Sequence, residues 1–171
     1  ADTADERKVF CMSQHTVRAF DDDLNRLTGL VSDMGSRAAL AVEQAMAALN
    51  NRDLVSASAI VAADKRIDEL ETEIEKLVVT TIALRAPMAD DLRELIADLK
   101  MSAVIERIGD YAKNIAKRVR KLESRTFIEQ SDAIPRMAAI TSEMLRMVMD
   151  AYARRDVDMA KAVSERDNEV D

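Results

Sequence analysis

Asp64 and Asp68 stand four residues apart, and so do Glu106 and Asp110 in the run Glu106-Arg107-Ile108-Gly109-Asp110. Both pairs fall in stretches with helical periodicity, where residues i and i+4 lie on one face a turn apart. Two carboxylates placed that way repel each other by about a few tenths of a kcal/mol in an isolated helix. A hard cation reverses the sign, because it takes oxygen ligands from several carboxylates at once. Asp167 and Asp171 repeat the spacing at the end of the chain. Such pairs are also common on solvated helices, and spacing alone favours a plain wet face over a metal site.

The remaining reactive residues narrow the chemistry. His15 is the single histidine, which removes a His-based zinc site and the Glu-x-x-His motif of diiron bundles. It reads as a surface residue near a helix start. Cys11 is the single cysteine, so no intramolecular disulfide can form, in agreement with a reducing compartment. The three glycines are isolated and build no phosphate loop. No Ser-His-Asp or Cys-His arrangement is credible.

The acidic pairs work as a site only if the elements carrying them fold back on each other. Phe20, Leu24, Leu27, Val31, Met34, Ala38, Ala41 and Ala45 recur at steps of four and three, which predicts a first helix over about Thr16 to Asn50. Its length would be roughly 50 Å. Gly29 and Gly35 weaken it or mark close helix contact. Asn50-Asn51-Arg52-Asp53 breaks the pattern, and Asp53 is a good N-cap for a second helix from Leu54 to about Leu84. That helix has a stripe of Ile60, Ala63, Ile67, Leu70, Ile74, Leu77, Thr81 and Leu84. Pro87 closes the second helix and suits the first turn of a third, from about Pro87 to Leu122. Leu92, Ile96, Leu99 and Ala103 form its stripe, which carried forward arrives at Glu106 and Asp110; Leu54, Ala57 and Val61 lead to Asp64 and Asp68 likewise. With the two helices antiparallel, Asp64 and Glu106 each lie roughly twenty residues from the Pro87 turn and meet at similar height.

A fourth helix is predicted over about Ala133 to Ala153 with Pro135 in its first turn, and a fifth starts after Asp156 and holds the chain end. Its junction repeats the first one: Arg52-Asp53 and Arg155-Asp156 are 103 residues apart. At that offset Met34 meets Met137, Ile60 meets Val163, Asp64 meets Asp167 and Asp68 meets Asp171. This predicts a duplicated three-helix unit whose second copy lacks its third helix. The domains expected are a flexible arm over 1–15, a first repeat over 16–124 and a partial second repeat over 125–171. Met12 looks like a natural start, and the residues before it read as an arm, tag or leader remnant.

Composition agrees with an all-α fold. There are 3 Gly and 2 Pro, and aromatic residues make up 3 %, thin for a β-sandwich core. The net charge of −7 disfavours nucleic acid. No apolar run approaches the ~20 residues of a membrane span. Lys113, Lys117, Arg118, Arg120 and Lys121 crowd the end of the third helix. They read as dipole compensation and solubility ahead of an anion or membrane contact. Met137, Met144, Met147 and Met149 read as core and bundle contact ahead of an adaptable partner surface.

Several of these stretches resemble the PhoU family of phosphate-uptake regulators. They are His15-Thr16-x-Arg18-x-Phe20-Asp21, Met34-Gly35, Asn51-Arg52-Asp53, Asp64-x-x-Ile67-Asp68-x-Leu70-Glu71 and the turn Leu84-Arg85-Ala86-Pro87-Met88-Ala89-Asp90-Asp91-Leu92-Arg93. The most specific is Glu106-Arg107-Ile108-Gly109-Asp110-Tyr111-Ala112-Lys113-Asn114-Ile115. The resemblance implies two three-helix repeats side by side and acidic motifs that hold multinuclear metal clusters. Iron comes first among the metals, with zinc, nickel, calcium or magnesium open. Asp64, Asp68, Glu106 and Asp110 would form one site, and Asp167 with Asp171 half of a second. It further implies a cytoplasmic, non-enzymatic adaptor between a phosphate ABC transporter and a sensor histidine kinase, reaching the membrane only through partners. The departure is the sixth helix, absent from this chain. Its loss would expose an apolar face for a second copy to cover, giving a homodimer or higher homo-oligomer. The competing readings are a carboxylate-metal enzyme of phosphatase type and a purely structural helical interaction module.

Overall fold

The alternating three-and-four spacing of the first apolar stripe produces a single long helix, α1 (Thr3–Asn51). Its buried face carries Leu27, Val31, Met34, Ala38 and Ala45 as expected, with Phe20, Leu24 and Ala41 half-buried beside them. The structure is a computed structural model that describes the backbone of residues 3–122 and 133–167, and side chains from Arg18 onward within them. The helix starts at Thr3, so residues 3–15 are helical where the sequence reading places a flexible arm.

After α1 come α2 (Leu54–Ala63), α3 (Lys65–Arg85), α4 (Asp90–Leu122), α5 (Ala133–Arg154) and α6 (Val157–Arg166). The predicted second helix is therefore two segments that meet at Asp64. α1 packs on α2, α3, α4 and α5, while α4 also packs on α2 and α3, and α5 on α6. One apolar cluster joins Leu27, Val31 and Met34 of α1 to Ile67, Leu70 and Ile74 of α3, Leu95 and Ile105 of α4 and Met149 of α5. A second is rich in alanine, with Ala45, Ala48, Ala57, Ala112 and Ala116 beside Val42, Ile60 and Val119, and joins α1, α2 and α4.

The duplication is visible in the backbone. Arg52 and Arg155 are both left-handed, with φ of 52° and 55°. The amide of Asp53 donates to Ala48 O at 2.9 Å, and that of Asp156 to Ala151 O at 2.8 Å. The Arg52 and Arg155 amides donate to Leu49 O and Tyr152 O. Each helix thus ends in a Schellman turn with arginine at the position glycine usually takes. Each is followed by an aspartate N-cap: Asp53 accepts from Val55 and Ser56 amides, Asp156 from that of Met159. The same Schellman bonds at one offset, including a disfavoured left-handed arginine twice, show the same local design used again.

Two expectations are corrected. Pro87 lies outside α4, in a connection where Ala86 and Ala89 have φ of 46° and 51°. The left-handed Ala89 directly before Asp90 stops the helix from reaching back to the proline. The stripe predicted for this helix is also displaced. Leu92, Ile96 and Ala103 are exposed, and the buried line runs through Leu95, Asp98, Ser102, Ile105, Gly109 and Ala112. α4 is apolar on two adjacent faces, and the buried one is disguised by Asp98 and Ser102. Along α2 and α3, Ala63 and Leu84 are likewise exposed, and Val78 is buried in the core.

Asp98, buried in the core, is served from a distant part of the chain. Tyr152 Oη donates to Asp98 Oδ1 at 2.8 Å, and Arg155 pairs with Glu94 nearby. Burial pushes the Asp98 carboxyl above its usual range even though the Tyr152 bond pulls it down, and burial together with Asp98 pushes the Tyr152 phenol up. Ser102 Oγ turns back to donate to Leu99 O at 2.9 Å. Gly35 lets α5 approach α1, since a Cβ there would stand 2.6 Å from Met149 Cγ. Gly29 has no such neighbour.

Candidate functional site

Asp64 occupies the break between α2 and α3. Its carbonyl accepts from the Ile67 amide at 2.8 Å and from the Asp68 amide at 3.2 Å, so the chain tightens for one turn there. The Asp64 side chain is turned into the protein and is 5 % exposed. Gly109 of α4 packs closely against the turn that follows this break. A Cβ on Gly109 would lie 2.9 Å from Ile67 Cδ1 and 3.5 Å from Asp64 Oδ1.

One turn beyond Gly109, Lys113 reaches back across the same face. Its Nζ lies 2.5 Å from Asp64 Oδ2 and 3.0 Å from Asp110 Oδ1, tying the α2–α3 break to α4. Both bonds hold the ammonium charged, raising the Lys113 pKa above its ordinary value against the cost of burial. Glu106 lies half-buried on the same side. Burial raises its carboxyl first, and the charges of Asp110, Glu71, Asp68 and Asp64 add to the rise. Glu71 is raised by burial and then by Glu75 and Asp68. Five carboxylates, from the α2–α3 break, α3 and α4, therefore share one negative field, which among the described residues Lys113 answers directly.

Sequence reasoning places Asp64, Asp68, Glu106 and Asp110 together; in the structure Lys113 joins Asp64 to Asp110, the charges of Asp110, Asp68 and Asp64 reach Glu106, and Asp68 is exposed. It assigned Lys113 to the helix terminus and overlooked Glu71 as a member of the acidic group. The overlooked signal is spacing: Lys113 follows Glu106 by seven residues and Asp110 by three, on the same helical face. Asp167 has φ of −56° and ψ of −33°, against −55° and −34° at Asp64, so the second copy places its aspartate on the same backbone. Unlike Asp64 it is exposed. Asp171 lies outside the described residues.

The donor set, carboxylate oxygens alone, fits a hard cation in kind. In position it is not closed. Among the described residues no three ligating side chains stand together as a coordination set, and the place between Asp64 and Asp110 is taken by the Lys113 ammonium.

Elsewhere an open groove of about 690 Å³ runs between α4 and the pair α5 and α6. Its walls include Met101, Val104 and Ile108 from α4, Val148 and Tyr152 from α5 and Val157 from α6. Val104 and Val157 are 58 % and 64 % exposed, an apolar surface without cover among the described residues.

Comparison with known proteins places this architecture. The PhoU domain matches residues 31–119 and again 134–171. The chain is 47 % identical over 157 residues to the phosphate-specific transport system accessory protein PhoU homolog of Zymomonas mobilis, covering 92 % of this chain and 66 % of that protein. It is 43 % identical to the homolog of Caulobacter vibrioides, covering 94 % and 70 %. The chain thus spans about two thirds of the length of these relatives. Among solved structures, the phosphate transport system regulatory protein PhoU from Streptococcus pneumoniae superposes with a TM-score of 0.80 at 25 % identity, over 88 % of this chain and 70 % of that one. PhoU from Pseudomonas aeruginosa superposes with a TM-score of 0.70 at 27 % identity, over 91 % and 72 %.

Proposed function

This chain belongs to the PhoU family, and on that premise we propose that it is a regulatory adaptor of phosphate uptake that acts without turnover. It contacts a phosphate ABC transporter and a sensor kinase from the cytoplasmic side and restrains uptake and the starvation response when phosphate is ample. The observation that carries this reading is the match of both halves to one domain, alongside relatives that bear the names of transport accessory proteins. No helix among the described residues is long and apolar enough to cross a membrane. The carboxylate face is the adaptor's cation site. Asp64, Asp68, Glu106 and Asp110 hold a multinuclear cluster, iron foremost, and Asp167 with Asp171 belongs to a second. Such a cluster would cancel the mutual repulsion that adds to the effect of burial at Glu106.

Affinity capture from phosphate-replete cells tests this. The wild-type chain is expected to enrich the transporter and the kinase, and Glu106→Ala to recover about fivefold less of both; about 1 kcal/mol of lost coupling corresponds to that ratio. Failure to enrich either partner over an unrelated helical bundle rules the adaptor out.

The apolar groove is the seat of a second copy. Its exposed Val104, Val148 and Val157 line one groove of the kind that oligomers bury. Light scattering is expected to give at least a dimer mass at micromolar concentration, with Val104→Glu giving the monomer. A monomeric wild type removes this interface.

A further inference from the structure

The lysine at the centre of the acidic face is in the wrong place for a bystander. A cation that binds Asp64 and Asp110 together must occupy the space where Lys113 Nζ now sits, 2.5 Å and 3.0 Å from their oxygens. Two positive charges cannot share that position. Nothing in the backbone ties the ammonium there, because four flexible methylenes separate it from α4. The Lys113 side chain is 24 % exposed, so a swing of the stem carries it into water without any helix moving. Asp64 lacks that freedom, since its side chain is 5 % exposed. The carboxylate is the fixed partner and the ammonium the movable one.

We propose that Lys113 is a built-in competitor for the cation: its ammonium closes the carboxylate face when no metal is bound, and a metal enters only by displacing it from Asp64 and Asp110. This rests on the reading of that face as a cation site. It adds a consequence which that reading lacks. Metal binding exchanges one cation for another, so the α2–α3 break and α4 stay tied in both states and the face does not spring open when metal leaves. What changes is the position of the lysine, which becomes a free positive charge on the surface in the loaded state. The apparent metal affinity is lowered by the fraction of time the ammonium is in place.

The test uses Mn²⁺, an oxygen-seeking ion whose free form is counted by its electron paramagnetic resonance signal. Lys113→Met keeps the apolar stem and removes the charge, and is expected to bind Mn²⁺ about tenfold more tightly than the wild type or better. Lys113→Arg, whose planar fork holds two carboxylates more firmly, is expected to bind it more weakly. In the wild type, amine acetylation of Lys113 read by mass spectrometry is expected to speed up several-fold on saturation with Mn²⁺, while exposed Lys100 stays constant. This last measurement stands even if Lys113→Met folds poorly. Equal affinities in wild type and Lys113→Met, with Asp64→Asn abolishing binding, would overturn the competition and leave the cation site intact. Lys113 acetylation that does not respond to saturating Mn²⁺ would overturn it too. No Mn²⁺ bound by any variant would remove the cation site and the competitor together.

Discussion

Lys113→Met is expected to unfold at lower urea concentration than the wild type, with a loss of about 2–4 kcal/mol in metal-free buffer. The loss does not come from packing, because methionine fills nearly the same volume as the lysine stem. It comes from Asp64, whose carboxylate is 5 % exposed and has Lys113 as its ion-pair partner at 2.5 Å. Removing one member of a buried pair leaves the other with its desolvation cost uncompensated. The figure is set below that for a fully enclosed pair because Lys113 is 24 % exposed. Adding Asp64→Asn to Lys113→Met should restore much of the loss, since an amide tolerates that pocket better than an unpaired charge. A double variant less stable than Lys113→Met alone would show that the cost lies elsewhere. Asp110→Ala should be milder, at about 1 kcal/mol or less, because its carboxylate is 46 % exposed and water replaces the lysine there.

Leu70→Ala is expected to cost about 3–5 kcal/mol by the same measurement, the upper part of the range for a leucine removed from a closed core. Leu70 is fully buried six residues beyond the Asp64 break, in the cluster that joins α1, α3, α4 and α5. Those neighbours belong to separate rigid helices, so they relax only partly into the space left behind. The same change on Leu84, which is 70 % exposed at the end of α3, should move the midpoint hardly at all. The contrast matters because both leucines sit on apolar repeats of the same predicted helix. Equal effects from the two would mean that the described burial is wrong. Leu70→Ala should leave the slope of the urea transition near that of the wild type, since it changes stability and not the surface exposed on unfolding.

Several features of the fold follow from local chemistry that the chain carries openly. The stripe of α1 is regular enough that Leu27, Val31, Met34 and Ala38 are all buried where the spacing puts them. The Arg-Asp junctions repeat because each aspartate caps the helix after it through its own nearest amides. The break at Asp64 is hidden, since all its neighbours are good helix formers and its backbone angles remain helical, −55° and −34°. The buried face of α4 is hidden as well. Leu92, Ile96, Leu99 and Ala103 make as good a stripe as Leu95, Ile105 and Ala112, and a sequence does not say which will find a neighbour.

Taken by itself, the sequence determined that this protein is helical, where its chain reverses, that one design is used twice, and that carboxylates recur at helical spacing. All of these depend on residues within a turn or two of each other, where backbone geometry sets the distances. The tertiary structure decided which apolar face of α4 is inside, that Asp98 is buried because Tyr152 reaches it from 54 positions away, and that the acidic face is closed by a lysine. Those outcomes depend on which helix lies against which. Charge and burial act through space, and side chains distant in the chain become neighbours only after the helices have packed.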